Sequence, residues 1–321
     1  LHDNVNKSIE HFKDLADDDI FVNVLPNFHT LGFTTSGLLP LMGGFPQALI
    51  PTFMPPETAI EAIRAAEVSV MIAVPTMVAL MLGAIARGTD APTSLRLLAT
   101  GGDRFPERLD GRTQQLLGVS VLEGYGLTET SPVVSLNEGI EDRKLGTVGR
   151  VLKGYEIEIR DLEGNVLPVG KEGTLWLKGP SVFSGYFRAP EITAEKFKDG
   201  WFNTGDVVRL DEGGYLTIVD RLTDIAIVGG FNVYPTEVEA VIQQMPGVRE
   251  SAVVGIKHPV SGEIVKAYVI PTGDPAITSR DVIAFCRDKL AHYKVPRSVE
   301  FIEEMPRSSI GKILKRELRK R

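Results

Sequence analysis

Strand-like apolar runs separated by helix-like stretches fill the first part of the chain, and this alternation limits the fold more than any other feature. IFVNVLP, QALIPTF, SVMIAVP, LRLLATGG and SVLEGYG are interleaved with PETAIEAIRAAE, PTMVALMLGAIAR and ERLDGRTQQLLG. Strands that alternate with helices pair in parallel, because a crossover helix returns the chain to the same end of the sheet. From about Gly146 to Arg221 the helices vanish and GYEIEIRD, GTLWLKGP, GWFNTGD and YLTIVD alternate with turns, as in a small all-β, barrel-like subdomain. Beyond Arg221 the order is helix (PTEVEAVIQQM), strand (RESAVVGIKH), strand (EIVKAYVIP), helix (SRDVIAFCRDKLAHY), strand (SVEFIEE) and a basic terminal helix. The expected organisation is therefore α/β over residues 1–145, all-β over 146–221 and a separate, mobile α+β domain over 222–321.

One stretch imitates a membrane span. Val68 to Ala86 is uncharged and close to the roughly 17–25 residues a bilayer requires, yet Pro75 divides it into a β-branched strand and a helix that starts on proline. LHDNVNKSIEHFKDLADDD is polar, unlike a signal peptide, and the chain opens on Leu1 rather than Met, as a fragment would. The single cysteine, Cys286, cannot form an internal disulfide, which suits a reducing, cytoplasmic setting; on the apolar face of a helix it reads as packing. A net charge of −7 argues against nucleic acid as a partner. The last ten residues differ, since Lys312, Lys315, Arg316, Arg319, Lys320 and Arg321 against Glu317 make them +5. No aromatic interleaves with these basic residues, so the tail reads as a solvated helix face that tolerates replacement rather than a nucleic-acid patch.

Four clusters carry chemistry. In Gly124-Tyr125-Gly126-Leu127-Thr128-Glu129-Thr130, two glycines allow close backbone approach, Tyr125 offers an aromatic face, and hydroxyls beside a carboxylate suit phosphate and Mg²⁺. Asp206, in Trp201–Asp206, has the two acceptors a ribose diol needs, although the same residue could close a turn. Arg221 gives planar bidentate contacts to oxygens, or pairs with Asp220 or Asp224. Lys312 ends the Ser/Gly-containing segment Pro306–Lys312, a flexible mount for a point charge. Thr236 and Glu239 have the spacing of a helix capping box. His2, His11, His258 and His292 show no metal spacing.

Taken in order, LEGYGLTET, GTLWLKGPSVFSGYF, GWFNTGDVVRLDEGGYLTIVDR, GGFNVYPTEVEAVI and PRSSIGKILKREL resemble the acyl-adenylate-forming family of acyl-CoA synthetases, adenylation domains and luciferases. LPNFHTLGF and ATGGDRFPE extend the resemblance more loosely over nearly the whole chain. The resemblance implies an enzyme that joins a carboxylate to AMP and then passes the acyl group to the thiol of CoA. It implies ATP, Mg²⁺ and CoA as ligands, with a medium or long fatty acid as the substrate. Thr128 would hold the α-phosphate and Glu129 the Mg²⁺, while Tyr125 would stack on adenine with Gly101, Gly102, Gly124 and Gly126 around it. Asp206 would bind the ribose with Arg221 nearby, and Lys312 would bridge carboxylate and phosphate. Gly229 and Gly230 would border the pantetheine channel, His29 would stand beside the acyl pocket, and LLPLMGGFPQALIP would line it.

Two departures from the family pattern stand out. The family's Ser/Thr/Gly-rich phosphate loop belongs just before a segment like LHDNVN, so the chain as written is expected to adenylate poorly. The hinge position in DRLTD holds Thr223 where the family has Lys or Asp. Three alternatives stay open: a ligase that loads an acyl-carrier protein, an amino-acid-activating domain, and a non-catalytic binding fragment. Oligomeric state is not readable, and peripheral contact with a membrane stays open.

Overall fold

The computed structural model describes residues 1–258, 262–308 and 311–321. The chain divides into two compact units, one of Leu1–Thr204 with Val208–Ile218 and one of Gly205–Val207 with Val219–Arg321.

The first unit contains a seven-stranded sheet built from β1 (Phe21–Asn23), β2 (Gln47–Leu49), β3 (Val70–Ala73), β4 (Leu97–Thr100), β5 (Val121–Gly126), β6 (Val133–Leu136) and β7 (Arg150–Val151), in the order β2-β1-β3-β4-β5-β6-β7. β1 to β5 pair in parallel, and β6 and β7 add on antiparallel. Each expected strand of this region forms. Every residue of β3 and β4 is buried, as in a parallel sheet covered on both faces. Around the sheet lie α1 (His2–His11), α2 (Leu39–Gly43), α3 (Pro56–Ala65), α4 (Pro75–Ala86) and α5 (Glu107–Leu117). Prolines occupy the first helical positions of α3 and α4, where no N–H is needed. The Val68–Ala86 stretch is thus strand then helix, and among the described residues no helix is long and apolar enough to cross a membrane.

Two elements exceed the sequence expectation. The polar N-terminal segment forms α1, with Asn4 and Val5 buried, and a π-helical segment at Gly32–Leu38 leads into α2.

A second, antiparallel sheet combines β8 (Glu156–Arg160), β9 (Glu172–Lys178), β10 (Phe197–Lys198), β11 (Trp201–Leu210) and β12 (Leu216–Arg221), with α6 (Pro190–Lys196) ahead of β10. The boundary between the two units runs through β11 and β12.

In the second unit the sheet order is β14 (Phe231–Val233), β13 (Ala226–Val228), β16 (Gly262–Pro271), β15 (Val248–His258), with β17 (Ser298–Phe301) parallel to β16. Alternation along β15 and β16 sends Val253, Val265, Ala267 and Val269 to one face with α7 (Pro235–Ile242) and α8 (Ser279–Arg287). Ala252, Val254, Tyr268 and Ile270 go to the other face, with Met305 and Leu318 of α9 (Lys315–Leu318). Cys286 is fully buried in the first of these layers, and burial pushes its thiol up to about 11.

The expected capping box at Thr236 does not form. Pro235 already occupies the first helical position of α7, so the Thr236 hydroxyl instead donates to the Val219 carbonyl at 2.6 Å. A reciprocal box is found on α8, between Thr278 and Asp281.

The tail also departs from a wholly solvated face. Leu318 is fully buried and its carbonyl accepts the Tyr268 hydroxyl at 2.8 Å. Lys315 pairs with Glu239 at 2.9 Å and Arg319 with Asp224 at 2.6 Å, whereas Arg316 is 76% exposed. The hydrophobic Leu318 orients the helix, and that orientation turns two of the basic side chains inward.

Candidate functional site

Strand order reverses between β1 and β3, and in such sheets the crevice outside the carboxyl ends of the strands is where ligands lodge. Four sequence-selected segments leave the sheet there. His29 lies in the loop after β1; Gly101 and Gly102 follow β4; Gly124, Tyr125 and Gly126 end β5; Thr128 and Glu129 stand on the single 3-10 turn beyond it. A side chain at Gly101 would meet the Gly124 carbonyl at 3.5 Å and Leu31 at 3.5 Å, so the β4 end, the β5 end and the loop after β1 converge. Gly126 admits nothing larger, since a Cβ would lie 2.1 Å from the Pro132 carbonyl. Tyr125 packs partly against the core of the antiparallel sheet.

His29 has a local role: its Nδ1 accepts the Leu31 N–H at 3.2 Å, closing the turn, and burial lowers its pKa.

The Thr128–Thr130 turn is held from three directions that sequence reading did not supply. Asn4 of α1, fully buried, donates to the Val133 carbonyl at 2.7 Å and accepts the Val133 N–H at 3.0 Å. The Tyr155 hydroxyl donates to the Thr130 carbonyl at 2.6 Å. Phe183 N–H donates to the Glu129 carbonyl at 2.8 Å, and the Tyr186 hydroxyl donates to Glu129 Oε1 at 2.8 Å. Burial and the neighbouring Glu129 push the Tyr186 hydroxyl up to about 12, which keeps it a donor. A polar residue at a buried position of an amphipathic helix is the one local signal that could have found Asn4.

Glu123, just ahead of Gly124, was also missed. Its Oε2 accepts the Phe105 N–H at 3.1 Å, tying the segment after Gly102 to β5. Burial pushes this carboxyl up to about 7 against the pull of that N–H and of Arg104.

In the second unit, Asp206 is 3% exposed and pairs with Arg221 Nε at 3.0 Å. The Arg221 guanidinium thus turns to Asp206 rather than to Asp220 or Asp224; Asp220 accepts the backbone N–H groups of Arg221 and Thr236, and Asp224 accepts Arg319. Gly229 and Gly230 form the turn between β13 and β14 with φ of 58° and 86°, and no atom lies within 4 Å of a Cβ at either. Lys312 N–H donates to Ser308 Oγ at 3.2 Å, and the Arg307 guanidinium donates to the Gly311 carbonyl at 2.6 Å. Ser309 and Ile310, part of the sequence motif, lie outside the described residues.

Residues 1–187 match the AMP-binding enzyme family, and residues 237–312 match the AMP-binding enzyme C-terminal domain. A long-chain-fatty-acid–CoA ligase of Escherichia coli is 46% identical over 227 residues, which is 71% of this chain and 40% of the relative. A feruloyl-CoA synthase of Amycolatopsis is 37% identical over 96% of this chain and 62% of its own length. ATP-bound MatB from Rhodopseudomonas palustris superposes with a TM-score of 0.93 at 34% identity, over 100% of this chain and 63% of that one. The chain thus spans from two fifths to just over three fifths of the relatives it matches. The match over residues 1–187 takes in the Gly101, Gly124 and Thr128–Glu129 segments at the sheet's carboxyl edge, and on that agreement the chain belongs to the AMP-binding enzyme family.

Proposed function

We propose that the protein activates a carboxylic acid with ATP and transfers the acyl group to CoA. The observation that carries this reading is the convergence of Gly101, Gly124 and the braced Thr128–Glu129 turn at the carboxyl ends of β4 and β5. In the first step a carboxylate oxygen attacks the α-phosphorus of ATP and pyrophosphate leaves. In the second, the CoA sulfur attacks the acyl carbonyl carbon, AMP leaves with the C–O bond electrons, and the thiol proton goes to solvent.

Thr128 is assigned to the α-phosphate, Tyr125 to the face of adenine, and Gly101, Gly102, Gly124 and Gly126 to its edges. Asp206, oriented by Arg221, takes the ribose hydroxyls. Lys312 neutralises charge between the reacting carboxylate and the phosphate. Gly229 and Gly230 leave room for the pantetheine arm. A carboxylate beside a hydroxyl is a hard oxygen donor set that fits Mg²⁺, and Glu129 with Thr128 is such a set. When bound, that ion neutralises phosphate charge.

The acid is assigned as a medium- or long-chain fatty acid, supported by the similarity to the long-chain-fatty-acid–CoA ligase over 71% of the chain. ATP–pyrophosphate exchange across acetate, octanoate, palmitate, ferulate and a set of amino acids, measured on a longer polypeptide in which the family's phosphate loop precedes this chain, tests both levels. Exchange that peaks with the long alkanoates is the expected result; exchange with amino acids alone would overturn it. In that longer polypeptide, Lys312→Ala should lose acyl-AMP formation by roughly 10²–10³-fold while still forming thioester from supplied acyl-AMP.

A further inference from the structure

We infer that Tyr186 is a positioning residue that fixes the Glu129 carboxylate for a nucleotide-borne divalent cation. The inference rests on the proposed role of Glu129 and assigns it a partner from a distant segment.

Glu129 sits on a single 3-10 turn, Thr128–Thr130, which by itself gives a long carboxylate side chain no fixed direction. The segment after β9 supplies two bonds to this one residue: Phe183 N–H to its carbonyl and Tyr186 hydroxyl to its Oε1, each at 2.8 Å. The Tyr186 ring is itself packed. It lies edge-on to Phe183 with centroids 4.8 Å apart, and Phe183 packs on Phe197 at 5.5 Å and on Phe202 at 5.3 Å. Phe202 is 2% exposed, so this aromatic cluster is anchored in the core. The Tyr186 main chain is held as well, its N–H donating to Thr193 Oγ1 of α6 at 2.9 Å.

A hydroxyl donor on one carboxylate oxygen fixes the plane of the group and leaves the other oxygen to a cation. Partners of this kind orient a ligand without touching the metal, and their removal costs metal affinity while the rest of the site persists. Tyr186 does this from 57 residues away, through a ring packed edge-on against Phe183.

The test is binding rather than turnover. Mn²⁺·ATP affinity is measured by Mn²⁺ electron paramagnetic resonance, and AMP affinity by calorimetry in EDTA, for wild type, Tyr186→Phe and Glu129→Gln. Tyr186→Phe keeps the ring and its packing, and thermal melting checks the fold. The expected result is a loss of about tenfold in Mn²⁺·ATP affinity for Tyr186→Phe, with AMP affinity in EDTA unchanged. Glu129→Gln should lose at least as much. Unchanged Mn²⁺·ATP affinity in Tyr186→Phe beside a clear loss in Glu129→Gln would overturn the role of Tyr186 alone. Equal losses of Mn²⁺·ATP and metal-free AMP binding in Tyr186→Phe would also overturn it, since the tyrosine would then shape the nucleotide pocket as a whole. If Glu129→Gln binds Mn²⁺·ATP like wild type, the assignment of Glu129 itself fails and takes the inference with it.

Discussion

Lys315 Nζ lies 2.9 Å from Glu239 Oε1, joining the last helix to α7 through an ion pair in which each side chain is only 16% exposed. The same glutamate oxygen accepts the Val253 N–H at 2.6 Å, so the pair also reaches the sheet. Burial works against the lysine charge, but the carboxylates of Glu239 and Asp220 outweigh it and hold its pKa above the ordinary value. Removing one member of a largely buried pair strands the other, and Lys315→Met is expected to destabilise the second unit by about 3 kcal/mol. Arg316→Met, at a 76% exposed position, should be close to neutral. Urea denaturation distinguishes the two; equal effects would mean the ion pair contributes nothing beyond a surface charge.

Glu123 predicts a pH dependence of stability. Its folded pKa of about 7 lies above the ordinary 4.5, so between those values the native state binds more protons than the unfolded chain. Stability therefore falls as pH rises through this window and levels off above it, by roughly 3 kcal/mol in all. Glu123→Gln keeps an acceptor for the Phe105 N–H and abolishes the titration. It should be more stable than wild type at pH 8 and indistinguishable from it near pH 4. Parallel denaturation profiles across this range would show that the carboxyl is not buried in the way described.

Glycine substitutions should separate into two kinds. A Cβ at Gly126 would collide with the Pro132 carbonyl at 2.1 Å and carbon at 2.7 Å, and both are backbone atoms that cannot swing aside. Gly126→Ala is expected to cost about 2 kcal/mol or more and to abolish AMP binding. At Gly229 and Gly230 the space is open, and alanine should cost about 1–2 kcal/mol, from left-handed φ alone. If these two border the pantetheine arm, their alanine variants form acyl-AMP normally and lose thioester formation. Loss of acyl-AMP formation at either position would contradict that assignment.

Asn4→Ala removes one side chain that both donates to and accepts from Val133. Leaving those half-buried backbone groups unpaired should cost about 1–2 kcal/mol and loosen the Thr128–Thr130 turn, raising the Kd for AMP. Asn6→Ala, at a half-buried position of the same helix where the side chain meets His2 Nδ1 at 3.3 Å, serves as the comparison. Matching behaviour of the two variants would remove Asn4 from the site.

What the sequence made legible was whatever is written locally. β3 and β4 announce themselves as unbroken apolar runs, α3 and α4 as helix-like segments that open on proline, and Gly124, Thr128 and Glu129 as a glycine-and-hydroxyl cluster after a strand-like segment, whereas Gly101 is reached only through the family resemblance. The supports of the site were not legible, because their partners are far apart in the chain. Asn4 meets Val133 across 129 residues, Tyr186 meets Glu129 across 57, and Arg319 meets Asp224 across 95. Composition near Lys315 and Arg319 is basic, so local reading assigns them to solvent; the acids that draw them inward lie on α7 and after β12. The capping box failed for a local reason, since Pro235 starts α7 one residue before Thr236 and leaves that hydroxyl inside the helix.

Cys286 turns the second unit into its own reporter. It is the only cysteine of the 321 residues, it is fully enclosed, and its thiol is held far from the reactive thiolate form. A thiol reagent can reach it only when α8 lifts or the surrounding layer opens, so labelling in native buffer times the opening of this unit and of nothing else. Set beside the unfolding rate of the first unit, that clock reads out directly whether the chain melts as one cooperative block or as two.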